Sequence, residues 1–140
     1  MIHAHSWDLL SHVLYGSVRN ELIDVTNAPD DPMYRVFEIR SCGDVDEVRK
    51  TPRLVRCQIT AAELNQQGDT YSVRAGHFHA TRVEGEAATV ALGTGRPNTM
   101  DLSLGMIDTK THRVRRQRCN RDETVSAARV VIERLAYPGP

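Results

Sequence analysis

Apolar residues along this chain recur mostly at every second position, in short runs that stop at turn chemistry. MYRVFEIR (33–40) is the clearest case. Tyr34, Val36 and Glu38 share one side, and Met33, Arg35, Phe37 and Ile39 share the other. Similar β-forming runs cover 11–25 on either side of Gly16, then 53–64, 70–73, 77–83, 87–94, 100–107 and 112–118. Between them lie NAPDDP (27–32), SCGD (41–44), NQQGD (65–69), RAG (74–76), EGE (84–86) and GRPN (95–98). Glycine, proline, asparagine and aspartate cluster there because each supplies a backbone angle or a local hydrogen bond that a strand lacks. Short strands at such spacing predict an all-β barrel or sandwich.

The period changes near the end. NRDETVSAARVVIERL (120–135) puts Val125, Ala128, Ile132 and Leu135 at helical spacing. Asn120 followed by Glu123 fits a capping box, and YPGP (137–140) halts the helix. One C-terminal helix over about 120–135 is expected, packed on the outside of the β-structure.

The length of 140 residues predicts one domain, 1–140, able to bury a core without disulfides. Formal net charge is zero, which removes the electrostatic footprint of a nucleic-acid binder. The basic run RVRRQR (113–118) reads as a solvated strand, since alternation splits its arginines between two faces. Cys42, Cys57 and Cys119 are odd in number and widely spaced, which points to a reducing compartment. No apolar run reaches the ~18 residues of a membrane span, and no signal-peptide core opens the chain. A cytoplasmic protein with no membrane partner is expected.

Four of the six histidines fall in two H-x-H pairs, His3 with His5 and His77 with His79. On a strand, residues two apart face the same way, so each pair can converge on one point. Imidazoles gathered in an interior are costly unless something uses their nitrogens. A transition-metal ion does so.

The spacing around these pairs resembles the two motifs of the cupin superfamily. HAHSWDLLSHVLYG (3–16) matches the first, with His3, His5 and Gly16 in place and Leu9 or Leu10 where a glutamate belongs. GDTYSVRAGHFH (68–79) matches the second through Gly68, Gly76 and His79. Arg74 stands in the proline position and Val83 in the asparagine position. The resemblance covers about residues 2–118 in pattern. It implies a jelly-roll barrel over that span, with His3, His5 and His79 holding one divalent metal. Lacking the glutamate, the site also resembles that of the cysteine dioxygenase-like thiol dioxygenases, as do HVLYGSVRNELIDV (12–25) and HATRVEGEAATVAL (79–92).

Other residues have two open readings each. Asp8 is a rival fourth ligand or a partner that orients a histidine. His77 lines the same cavity as a base or sits at its rim. His12 changes face if a bulge occurs near Trp7. Tyr71 presents its phenol to a substrate pocket or packs in the wall. Arg74 neutralises an acidic substrate or faces solvent. His112 has no motif around it and is read as a surface residue.

The implied activity is an Fe(II)-dependent dioxygenase acting on a small polar molecule, its catalytic groups beyond the ligands unassigned. Iron is favoured, with zinc, manganese, nickel or copper as alternatives. The alternatives are a non-catalytic metal- or small-molecule-binding cupin, and a zinc or manganese cupin with isomerase, lyase or ligation chemistry. Cupins usually place strands before the first motif, so a ligand at residue 3 suggests either an internal start or a strand supplied by a partner subunit. A homodimer that covers the exposed edge is expected.

Overall fold

The computed structural model describes residues 1–137. Ten strands precede one helix. The first three are β1 (His3–Ala4), β2 (Trp7–Tyr15) and β3 (Ser17–Asn27). A hairpin follows, made of β4 (Tyr34–Cys42) and β5 (Val45–Gln66). Next come β6 (Thr70–Val73), β7 (Phe78–Val83), β8 (Ala88–Gly95), β9 (Asp101–Gly105) and β10 (His112–Arg115). The helix α1 (Arg121–Ala136) closes the described chain.

The strands form two sheets. A seven-stranded sheet runs β10-β5-β3-β7-β1-β9-β4, with β4 also pairing back onto β5. A three-stranded sheet runs β6-β2-β8. Every pairing is antiparallel. The early strands meet later ones in reverse order: β1 with β7, β2 with β6, β3 with β5. The chain thus behaves as a long two-stranded ribbon folded over on itself, its middle portion transferred to the second sheet.

Gly16 makes one of those transfers possible. It lies between β2 and β3 with φ of +74°, a region that costs other residues energy. A Cβ there would sit 2.2 Å from the Glu86 carbonyl oxygen. Only glycine fits where the chain changes sheet and its backbone touches that of the next turn.

Two apolar cores result, one on each face of β3, the strand they share. One gathers Ala4, Ile23, Val36, Val55, Phe78, Ala80 and Leu104. The other lies between the sheets and gathers Leu9, Val13, Val18, Tyr71 and Val73, with Trp7 and Leu22 packed against it. The alternation in 33–40 serves both faces: Val36 enters the first core, while Phe37 is buried on the opposite face.

The largest departure from the sequence expectation is β5. It is a single 22-residue strand rather than a run over 53–64. Its charged first half, VDEVRKT, shows no apolar alternation. It becomes strand because β4 and β10 flank it and satisfy its backbone groups. The helix forms where its spacing predicts. Asn120 Oδ1 accepts the Glu123 N–H at 2.9 Å, and Glu123 Oε2 accepts the Asn120 N–H at 2.8 Å. It lies against β2 but buries none of its residues, so its apolar stripe faces largely outward. Strand β10 carries the expected solvated arginines; Arg115 pairs with Asp44, and Arg116 just beyond pairs with Asp46. No helix among the described residues is long and apolar enough to cross a membrane.

Candidate metal centre

Three histidines converge because β1 with the residue just after it, and the neighbouring β7, present them on one face. Ala4 is 1% exposed and anchors β1 in the first core, so His3 and His5 on either side of it turn the other way. His79 on β7 is the register partner of His3. On its other side His79 pairs with Leu22 of β3, which faces the core between the sheets. The ligand atoms of His3, His5 and His79 all lie within 4.8 Å of one another. The ring centroids are 4.5 Å apart for His3 and His79, 4.7 Å for His3 and His5, and 5.2 Å for His5 and His79.

The hydrogen bonds around the rings fix which nitrogen is free. His79 Nδ1 lies 3.0 Å from Asn20 Oδ1. An amide oxygen only accepts, so Nδ1 carries the proton and Nε2 keeps its lone pair. That Nε2 is buried and has no hydrogen-bond partner among the described residues. His3 Nδ1 lies 3.3 Å from the Met1 carbonyl, which again makes Nδ1 the donor and leaves Nε2 free. Histidine ligands are ordinarily held in this way, one nitrogen on an acceptor and the other on the metal.

Electrostatics favour the same neutral state. Burial, then the neighbouring His3 and His5, lowers the His79 pKa from 6.5 to about 4. His5 is lowered too, first by burial and then by His3, with Asp101 pushing the other way. His5 and His79 resist protonation because a charge on either ring is desolvated and meets a neighbouring imidazole. Neutral imidazole is the form that binds metal.

Backbone contacts clamp the loop before β7 onto the first strands. Gly76 N–H donates to the His5 carbonyl at 2.8 Å. Asp8 Oδ1 accepts the Ala75 N–H at 2.8 Å, and its Oδ2 accepts from Arg96 Nε at 2.7 Å. The Arg96 hydrogen bond, with that from Ala75, holds the Asp8 carboxyl below its ordinary pKa. Both Asp8 oxygens are therefore occupied in fastening the turn, and Asp8 stands outside the histidine group. It fastens the turn that leads into the strand carrying His79.

The remaining sequence candidates are dispersed. His77 is exposed and precedes β7; its N–H closes the turn onto the Arg74 carbonyl, and its side chain lines a different cavity with Asp24 and Arg53. His77 stands before the first residue of β7, so the strand parity expected to align it with His79 does not extend to it; Gly76, with φ of +78°, makes the turn before it. His12 is placed on the outer side of β2, its Nδ1 2.8 Å from Thr70 Oγ1, while Leu9, Ser11 and Val13 turn inward. The irregularity in β2 falls at Val13–Tyr15 rather than near Trp7. Tyr71 is buried in the wall between the sheets. Arg74 is exposed.

Sequence reasoning passed over Asn20 and Asp101. Asn20 is 2% exposed and stands at the parity of Val18 and Leu22. A polar residue at a core-facing position of an alternating strand is the signal that would have found it. Asp101 Oδ1 accepts the Ser6 N–H at 2.5 Å and so fixes the chain just after His5. No local motif marks it. Comparison with protein families, with curated proteins and with solved structures finds no match to this chain.

Proposed function

We propose that the protein is a small metal-dependent cupin that holds one divalent transition metal on His3, His5 and His79 and acts on a small molecule. The observation that carries this is the His79 ring, deeply buried, protonated at Nδ1 by its bond to Asn20 and bare at Nε2 beside two more imidazoles. A buried acceptor without a partner costs about 1–3 kcal/mol, and a bound cation removes that cost. The donor set suits zinc, copper, iron or nickel.

The jelly-roll reading is supported by the ribbon pairing of β1 with β7, β2 with β6 and β3 with β5, which rolls into two facing sheets. The site then lies on the inward face, near the core between the sheets. When bound, the ion supplies redox or Lewis-acid chemistry. The chain's own residues orient it: Asn20 and the Met1 carbonyl set two imidazole tautomers, and the Asp8 clamp sets the turn before His79. Fe(II)-dependent dioxygenase activity is the reaction class that a three-histidine cupin site favours.

Elemental analysis of protein purified without added metal tests the reading. We expect close to one transition-metal ion per chain, lost in His79→Ala and kept in His112→Ala. Iron with oxygen uptake supports the dioxygenase. Tightly held zinc without oxygen uptake points to Lewis-acid chemistry instead. Full occupancy in His79→Ala would overturn the site.

A further inference from the structure

Beside the histidine group the seven-stranded sheet carries a cavity of about 540 Å³, within the ordinary range for small-molecule sites. His3 and His5 line one end of it. Phe37 and Ile39 of β4, Val48 of β5 and Val114 of β10 line its body. These positions share a face by register: Ile39 pairs with Val48, and Val48 pairs with His112. His112 therefore borders the cavity as well as being exposed.

The carboxylate side chains on this wall are Asp101 and Asp46, and Met1 also lines it. Asp101 reaches it beside the histidines, and Asp46 reaches it at the far side. Asp46 Oδ1 is engaged by the Ser41 hydroxyl at 2.6 Å and by Arg116 at 3.3 Å. Asp101 keeps one oxygen on the Ser6 N–H, so its second oxygen is the acceptor on offer. No lysine or arginine side chain lines the cavity. Arg74, the cation expected from the sequence to meet an acidic substrate, is not among its lining residues either.

We propose that this cavity is the ligand site and that it takes an uncharged, mainly apolar small molecule with a hydrogen-bond donor directed at Asp101. The role of that molecule as substrate rests on the metal-centre reading above; its binding does not. In the metal-free chain an anion entering here loses its hydration to apolar walls and meets two carboxylates, of which Asp46 is already paired with Arg116. An apolar body gains from the walls, and a donor finds Asp101. The apolar walls thus favour a less polar molecule than the resemblance to thiol dioxygenases suggests.

A matched pair of fluorescent probes separates these chemistries. N-phenyl-1-naphthylamine is neutral and carries one N–H donor. 1-Anilinonaphthalene-8-sulfonate has the same body with a sulfonate added. Titrated into metal-free protein, the neutral probe should saturate at one per chain and bind at least about tenfold more tightly than the anion. Val114→Arg places a cation in the wall on an exposed strand, and should reverse that preference. Asp101→Asn should narrow it and serves as the second variant if the first does not fold. His79→Ala is read for metal content alone, because its ring lies 4.5 Å from that of His3 and 5.2 Å from that of His5, both of which line the cavity. Equal affinity for the two probes, no saturable binding, or indifference to both wall variants would overturn the ligand class. Probe binding that holds while His79→Ala keeps its metal would overturn the metal centre alone.

Discussion

The pH dependence of stability in metal-free protein isolates His79. In the folded chain this ring ionises near pH 4 rather than 6.5, because it is buried and faces two other imidazoles. In the unfolded chain it returns to about 6.5. As pH falls from 6.5 to 4 the unfolded state binds a proton at this position and the folded state does not. Stability therefore drops across that window; the contribution is complete above pH 6.5 and gone below about pH 4. At about 1.4 kcal/mol per pH unit, the full effect is about 3 kcal/mol. His79→Leu removes the titrating ring and keeps an apolar group of similar reach. Its loss of the Asn20 hydrogen bond is a constant offset, and the carboxylates titrate alike in both proteins. Urea unfolding in the presence of a chelator, followed by circular dichroism from pH 7.5 to 4, gives the two stability curves. The advantage of the wild type over His79→Leu should shrink by about 3 kcal/mol as the pH is lowered. A difference that stays constant within about 0.5 kcal/mol would refute the claim that His79 is held neutral by its surroundings.

Three further outcomes follow from single contacts. Asn20→Leu frees the His79 tautomer, and metal affinity measured by competition with a chromophoric chelator should fall roughly 10–100-fold. Asp8→Ala loosens the turn before His79 without removing a ligand, so metal affinity should change by less than about tenfold; a loss as large as that in His79→Ala would make Asp8 a ligand. Gly16→Ala forces a Cβ against the Glu86 carbonyl and should cost more than about 2 kcal/mol in urea unfolding. Gly43→Ala, at φ of +62° but with open space around it, should cost about 1–2 kcal/mol.

Much of the strand pattern was legible because turn residues and period-2 alternation are local properties. The break at Gly16, the turn at 65–69 and the capping box at Asn120 all involve residues within a few positions of one another. The convergence of His3, His5 and His79 was legible only through motif spacing, since β1 meets β7 across more than seventy residues. What stayed hidden was set by neighbours. The first half of β5 is strand because two other strands bond to it, and nothing in VDEVRKT announces them. His77 looked equivalent to His79 by spacing alone, but β7 begins at Phe78 and leaves His77 in the turn. Asp8 looked like a displaced ligand, and the Ala75 N–H and Arg96 that occupy it lie far along the chain. The cavity walls come from β1, β4, β5, β9 and β10 together, so their apolar character could not be read from any one run.

The second sheet leads to the last prediction. Among the described residues β8 pairs with β2 alone, and its other edge is unpaired. Exposed edges usually carry lysine, proline or a bulge that blocks further pairing. ATVALGTG in β8 carries no charge and no proline, and Leu92 is 68% exposed. The sheet face beside it adds Leu10 and Val90, about half exposed, so an edge without a guard borders an apolar surface. A second copy of β8 laid antiparallel about a twofold axis would satisfy both edges at once and join two three-stranded sheets into one of six. We expect sedimentation at micromolar concentration to give a species of twice the 15.7 kDa chain mass. Leu92→Lys puts a charge on the exposed face beside that edge, away from the buried core, and should return the protein to monomer with its metal content unchanged. A wild type that stays at 15.7 kDa, or a dimer indifferent to Leu92→Lys, would show that this edge does not join copies of the chain.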